Sequence, residues 1–412
     1  MKRQPLYAGF SKININPKEP IGMDLCGMTR IYRGARGILD NLYARVVYLE
    51  SGENKFLMIV CDNALTDVIS PDHFKVIDEL SKWGGIEKKN IWVVSTHCHS
   101  APSEDEAPFS PFMAKVYNRY LDMLIQKLIK CGKDAIKSKQ RVKIGYGQTE
   151  IEGIGDSRRV KLSDGTVITG WGDGPSPQPG LKIVGRGIFD RDIGLIMFKN
   201  MKNKPIGAIV NYNSHIHSYA LLYFTSELAG AVARSLDRKI KGITTVYTNG
   251  AEGDVSLCAN LPSRFMDKSK WNSVFRREMK RMSGIMIKKI LGIYKNMKFE
   301  PMVKMNMAET VLKIKNSVSG EAIEKISAVT INNLALVGEV EEMVVQYALG
   351  VKAGSPFRST FIIGMNGIRN FYFASTPQME EGGYEPKLWI KPGSMDRVIN
   401  ASVKLLKKLK RI

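Results

Sequence analysis

Four of the five histidines of this chain fall into two His-x-His pairs, His97 with His99 and His215 with His217. Small hydroxyl residues frame both, as Ser95-Thr96-His97-Cys98-His99-Ser100 and Ser214-His215-Ile216-His217-Ser218. In an extended chain residues i and i+2 point to one face, so each pair can aim two imidazoles at a common point. Neutral imidazole is the commonest protein ligand for zinc and its relatives. A single pair reads as polar loop; two matched pairs, with only His73 left over, read as a metal site. A zinc site takes four ligands when structural and three plus water when catalytic, so oxygen donors must come from elsewhere. Glu339 is a candidate, because the apolar run Leu334-Ala-Leu-Val-Gly-Glu339 empties into it. Spacing alone equally allows Glu339 to begin a helix, since Glu341 and Glu342 follow and acids favour helix N-termini. Asp62 and Asp254 also end apolar strands and could orient histidines from behind.

Strands must deliver these residues. The run 55–61 is continuously apolar and ends at Asp62; 90–95 is a second such run and delivers His97 at its C-terminal end. Open α/β sheets place their sites at that end. Residues 7–17 and 42–50 read as strands, as do 193–198 and 206–211, the latter leading to His215; 244–248 feeds the turn Asn249-Gly-Ala-Glu-Gly-Asp254. Helices are predicted over 70–83, with Pro71 in the first turn, over 112–135, over 227–239 and over the basic stretch 268–295. Residues 141–191 are rich in glycine and turns, with no long period, and 302–337 alternates. No repeat or low-complexity linker divides the chain. The expectation is an α/β fold with mixed-sheet, α+β character: a single large catalytic domain over 1–412, its metal site at strand C-terminal ends.

Hydrophobic residues make up 44% of the 412 and charged residues 25%, which suits a globular protein with a substantial core. No apolar run approaches the roughly 18 residues of a membrane span, and the basic N-terminus develops no apolar signal core. The expected setting is therefore cytoplasmic. Cys26, Cys61, Cys98, Cys131 and Cys258 contain no C-x-x-C, so reduced thiols are expected rather than a disulfide framework. Cys98, one step from each histidine, should point away from the site as a small buried residue. The net charge of +21 comes from 61 basic against 40 acidic residues spread along the chain. Without a nucleic-acid motif or aromatic platform it is no argument for a nucleic-acid partner.

Several segments together resemble the neutral, non-lysosomal ceramidases. Val93-Val-Ser-Thr-His-Cys-His-Ser-Ala-Pro102 is similar to that family's Thr-His-Thr-His-Ser-Gly-Pro signature. Asp40-Asn-Leu-Tyr-Ala-Arg45, Asn249-Gly-Ala-Glu-Gly-Asp-Val-Ser256, His215 with Ser218, Glu339, and Tyr372 with Tyr384-Glu385 follow in the family's order. The likeness spans residues 7–385 and leaves 386–412 as a basic tail or helix. It implies a catalytic zinc held by His97, His215, Glu339 and Tyr372, with water in the open position. It also implies His99 beside the metal, Tyr384 near the developing oxyanion, and Arg158 or Arg159 on the substrate side. Cys98 stands for a threonine, Ala101 for a glycine, His217 for a threonine and Glu227 for an aspartate. The large secreted ceramidases carry a C-terminal immunoglobulin-like domain, for which no room is expected after Tyr384 here, so ceramide is not assumed as substrate.

The chemistry implied is zinc-dependent cleavage of an N-acyl type amide, since zinc lowers the pKa of bound water from about 15.7 to roughly 7. His99 would pass the proton to the leaving amine. The substrate would be a small amide, anionic or lipid-like. Esters, lactones or phosphoesters are the alternative; a non-enzymatic basic binding protein leaves the histidine pairs unexplained. The tail leaves peripheral membrane contact open beside its reading as an end helix with packed leucines. Oligomeric state is not legible. His97→Ala and His215→Ala are each expected to lose bound metal by elemental analysis, whereas His73→Ala keeps it; full metal in His215→Ala would remove that ligand.

Overall fold

The most completely buried strands are the apolar runs, and they set the centre of the molecule. Tyr43–Ser51, Asn54–Cys61 and Ile91–Ser95 are buried along nearly their whole length, as strands covered on both faces must be. The computed structural model describes residues 2–25, 34–63, 73–102, 111–170, 177–217, 222–257, 270–316, 320–367, 372–387 and 390–412. In it these strands belong to a large sheet ordered Thr244–Asn249, Pro205–Tyr212, Asp192–Asn200, Gln140–Glu150, Gln4–Asn14, Tyr43–Ser51, Asn54–Cys61 and Ile91–Ser95. The outermost pair at each edge is parallel and every inner pair is antiparallel. The sheet is therefore mixed, as expected.

Alternation along each strand sorts side chains between two faces. Val46, Tyr48, Leu57 and Ile59 pack with α1 (His73–Gly84), α2 (Pro111–Lys137), α3 (Glu227–Lys239) and α4 (Trp271–Lys295). Val47, Leu49, Met58 and Val60 pack instead on a second sheet ordered Met305–Asn316, Gly320–Ile331, Leu334–Gly338 and Ser359–Ile363. The outer face of that sheet is covered by α5 (Val345–Gly354) and, beyond the short α6 (Thr376–Glu381), by α7 (Ser394–Arg411). The layers thus run helix, sheet, sheet, helix. Leu405, Leu406 and Leu409 of α7 are buried in this outer layer, which is the packed-leucine reading of the basic tail. No described helix is long and apolar enough to cross a membrane.

The predicted helices over 112–135 and 227–239 are α2 and α3, and the one over 268–295 is α4 from Trp271 onward, residues 268 and 269 lying outside the described residues. Pro71, placed in a first turn, also lies outside them, and α1 begins at His73. The main departure is Gln140–Glu150, a central strand inside the stretch read as turns. Its glycines explain the missed signal. A Cβ at Gly145 would sit 2.6 Å from Met297 and one at Gly147 2.9 Å from Ile293, so the strand needs absent side chains where a periodic pattern needs apolar ones.

The large sheet coils until its two edge strands touch. That brings the C-terminal ends of Ile91–Ser95 and Pro205–Tyr212 together although they lie on opposite halves of the sheet order, and an isolated parallel bridge between Cys98 and Ile216 joins them. The intersheet layer is close-packed, with a Cβ at Gly194 falling 2.6 Å from the Phe361 ring. Gly194→Ala is expected to cost about 1–3 kcal/mol through overpacking, read as a lowered urea midpoint with an unchanged slope; an unchanged midpoint would mean the two sheets separate easily.

Candidate metal centre

His97 follows the last residue of the Ile91–Ser95 strand in the left-handed region, at φ 54°. Non-glycine residues adopt this conformation at a cost and do so where the surroundings enforce it. Here His97 N–H donates to Ser95 Oγ at 2.8 Å and Ser95 Oγ donates to the Asn63 carbonyl. Cys98 N–H donates to Asn63 O, and His99 N–H to Ile216 O. The pair does converge, with 3.1 Å between the Nε2 atoms of His97 and His99. The cause is a left-handed residue at the strand end, not the strand alternation expected. The Cys98 thiol turns the other way, donating to Thr225 O at 3.0 Å, and Cys61, Cys98 and Cys131 are buried and form no disulfide among the described residues. Cys26 and Cys258 lie outside the described residues. Glu227 accepts from Ser100 N–H at 3.1 Å and so braces the same loop.

His215 supplies the third imidazole. Its Nδ1–H donates to the Glu252 carbonyl at 2.6 Å, which leaves the Nε2 lone pair facing the centre. The ring centroids of His97 and His215 are 4.8 Å apart, and one ligand nitrogen from each of His97, His99 and His215 lies within 4.8 Å of the others. His217 is the outer member, its ring centroid 4.6 Å from that of His99. Ser218, matched with His215 in the sequence, lies outside the described residues.

The carboxylate at these imidazoles is that of Glu342, not the expected Glu339. Glu342 Oε2 stands 3.1 Å from His215 Nε2 and 3.6 Å from His97 Nε2. Strand parity gives the reason. Leu336 faces the other sheet, whereas Ala335 and Val337 face α5 and α7, and Glu339 shares their parity. Its carboxyl is directed to Glu324 and Glu341, and burial pushes its pKa well up. Only after the chain turns does Glu342 come inward, in a two-residue parallel pairing that sets Glu342 opposite Tyr372. Tyr372 hydroxyl lies 3.4 Å from His215 Nε2. Sequence reasoning missed Glu342 because three glutamates follow one strand and nothing local says where the turn ends.

Asp62 and Asp254 do not contact the histidines as orienting groups. Asp62 accepts from buried Arg45 at 2.9 Å. Asp254 accepts from Val345 N–H and Gln378 Nε2, both at 2.8 Å, so it caps α5, the helix that follows Glu342. Burial raises its pKa to about 6. The two candidate arginines separate cleanly. Arg158 is buried with its guanidinium 5.2 Å from the Tyr372 ring centroid and 5.4 Å from that of Tyr384, and its Nε donates to Glu385 at 2.8 Å. Arg159 donates to the other Glu385 oxygen and to Gly382 O, bracing the turn that carries Tyr384. That turn requires glycine, since Gly383 has φ 104° and a Cβ there would meet Arg159 at 2.8 Å. Tyr384 is 37% exposed, its ring edge-on to Tyr372, which places it at the mouth.

Fold and centre define a mixed α/β architecture whose strand ends bring together three imidazoles able to hold a metal ion. The same fold is found in neutral ceramidase from Pseudomonas aeruginosa, with a TM-score of 0.75, 15% identity, and coverage of 99% of this chain and 75% of that one. It is found again in a ceramidase complexed with C2, with a TM-score of 0.73 and 14% identity over 99% of this chain and 76% of that one. No family model matches the sequence, and no curated relative matches it either. The ceramidase resemblance carried by the motifs thus extends to the whole described fold.

Burial, followed by the Arg158 charge, lowers the His215 pKa to about 4; burial, followed by His215, lowers that of His217 to about 3. Burial and His217 put His99 well below its ordinary 6.5 as well. These rings are therefore neutral at pH 7 with lone pairs available. Their unfolded counterparts take up protons near 6.5, so between there and about 4 the unfolded chain binds more protons than the folded one. The stability from burying neutral rings is complete above about 6.5 and is lost as pH falls toward 4. Metal-free protein should lose stability over that window in urea titrations, and His217→Gln should lose less. Equal losses would show that His217 titrates as freely folded as unfolded.

Proposed function

We propose that this protein is a zinc-dependent hydrolase that cleaves an N-acyl type amide bond in a small anionic or lipid-like molecule. One observation carries the reading: the Nε2 atoms of His97 and His215 and the carboxylate of Glu342 converge on one buried point. The donor set suits zinc, being two imidazoles with one carboxylate and, in Tyr372, a phenol oxygen. His97, His215, Glu342 and Tyr372 would hold the ion. When bound, it would supply a water whose pKa is lowered to roughly 7 and polarisation of the scissile carbonyl.

The other residues act on the substrate. His99, half-buried and kept neutral by its surroundings, accepts a proton at an imidazole nitrogen and returns it to the departing amine. Tyr384 donates from the mouth toward the carbonyl oxygen as negative charge develops there. Arg158, fixed by Glu385, keeps a positive charge beside both tyrosines and favours a negatively charged substituent. Burial, and then His217 beside it, keeps His99 from taking a permanent proton.

Zinc content and amide turnover should be measured together on wild type, Glu342→Gln and Glu339→Gln. Wild type and Glu339→Gln are expected to hold stoichiometric zinc and release amine from N-acyl substrates. Glu342→Gln should lose zinc and at least about 100-fold in turnover, the effect of a direct ligand exceeding that of supporting groups. Zinc retained by Glu342→Gln but lost by Glu339→Gln would reverse the assignment, and a zinc-loaded enzyme that cleaves esters but no amide would change the bond.

A further inference from the structure

Away from the histidines, one strand of the large sheet has an open edge inside a basic cleft. Gln140–Glu150 pairs with Asp192–Asn200 from Val142 to Glu150. On its other side it pairs with Gln4–Asn14 only as far as Val142, and then Ile144 exchanges two hydrogen bonds with Glu300, at 3.0 and 2.8 Å. Beyond Ile144 that side meets no further strand among the described residues. Ladder groups alternate along a strand. Since Ile144 directs its N–H and C=O away from Asp192–Asn200, Tyr146 and Gln148 do the same. Gln148 and Glu150 are exposed, so this is a true edge of the kind that templates another chain.

The edge forms one wall of a cleft of about 1180 Å³. Lys288 and Lys289 of α4, Lys298 and Arg358 line it, and Ile293 and Met297 supply apolar surface. None of these four cations has an ion-pair partner among the described residues, although many other lysines and arginines do. Glu300, the acid in the lining, is engaged by Arg3 at 3.4 Å and by Asn332. The cleft is thus positive, and beyond Ile144 the strand edge along it pairs with no other backbone among the described residues.

We propose that this edge docks an extended acidic peptide by strand addition. A peptide backbone presents donors and acceptors at the strand repeat and can meet Tyr146 and Gln148 in turn, which neither a lipid headgroup nor a nucleic-acid backbone can do. Alternate side chains of the added strand face the two walls, so acidic residues at every second position face the α4 wall and meet Lys288 and Lys289, while the residues between them face the side of Arg358. A second copy of this chain is a poor occupant, because two chains of net charge +21 repel.

The test uses the full chain and a short fluorescent peptide alternating glutamate and valine. Anisotropy should show binding that weakens with salt, and hydrogen exchange should slow at the Tyr146 and Gln148 amides. The Lys288→Glu, Lys289→Glu double variant should lose at least about tenfold in affinity. A peptide N-methylated at every second amide, on the face meeting the strand, should not bind. Equal binding of the methylated peptide, or protection confined to other strands, would overturn strand addition. Binding of phosphatidylserine vesicles with loss in the charge variant, but no peptide binding, would make the cleft a membrane surface and overturn the proposal as well.

Discussion

The contact between His215 and Glu342 joins two parts of the molecule that lie far apart in sequence. The imidazole comes from the end of a large-sheet strand and the carboxylate from the turn after a second-sheet strand, so the 3.1 Å between them exists only while the sheets stay packed. Facing sheets sit about 10 Å apart, at a spacing set by the side chains between them. Trp92, Phe56 and Phe361 fill that layer here. Asp254 adds a second tie, reaching from beyond the Thr244–Asn249 strand to the first turn of α5. The intersheet core therefore acts as part of the centre.

Bringing so many polar groups into one buried region is costly unless each has a partner or sheds its charge. Both solutions are present. Arg158 and Glu385 pair while fully buried, and the two arginines more than offset the burial that would raise the Glu385 pKa, leaving it below its usual range. The imidazoles take the other course and remain neutral. The left-handed backbone at His97 is a further cost, borne by a hydrogen-bonded loop that Ser95, Asn63 and Glu227 hold from three sides. Strain of this kind collects at functional sites.

Much of the fold was legible because the longest apolar runs are also the most buried strands, and because α2 and α3 carry clear helical stripes. The Gln140–Glu150 strand was not, since its glycines answer to Met297 and Ile293 more than a hundred residues away. The imidazole pairs were visible as a pattern of residue types, although the backbone that converges them differs from the one expected. Glu339 was the natural choice for the carboxylate, directly at the end of an apolar strand. Its parity with Val337 turns it to the outer layer, a fact that depends on which face of the second sheet meets the first.

What the sequence determined by itself was the chemistry to be assembled: paired imidazoles at strand ends and an acid after a late apolar strand, with the tyrosines added by the ceramidase resemblance. Residue type and local period carry that information, because they act over a few residues. Tertiary structure alone decided which acid reaches the imidazoles, which arginine faces Tyr372 and Tyr384, and which strand edge stays open. Each of those depends on the coiling of one sheet and the register of another against it. A one-residue change of register exchanges the two faces of a strand, so such choices are made only when the layers close.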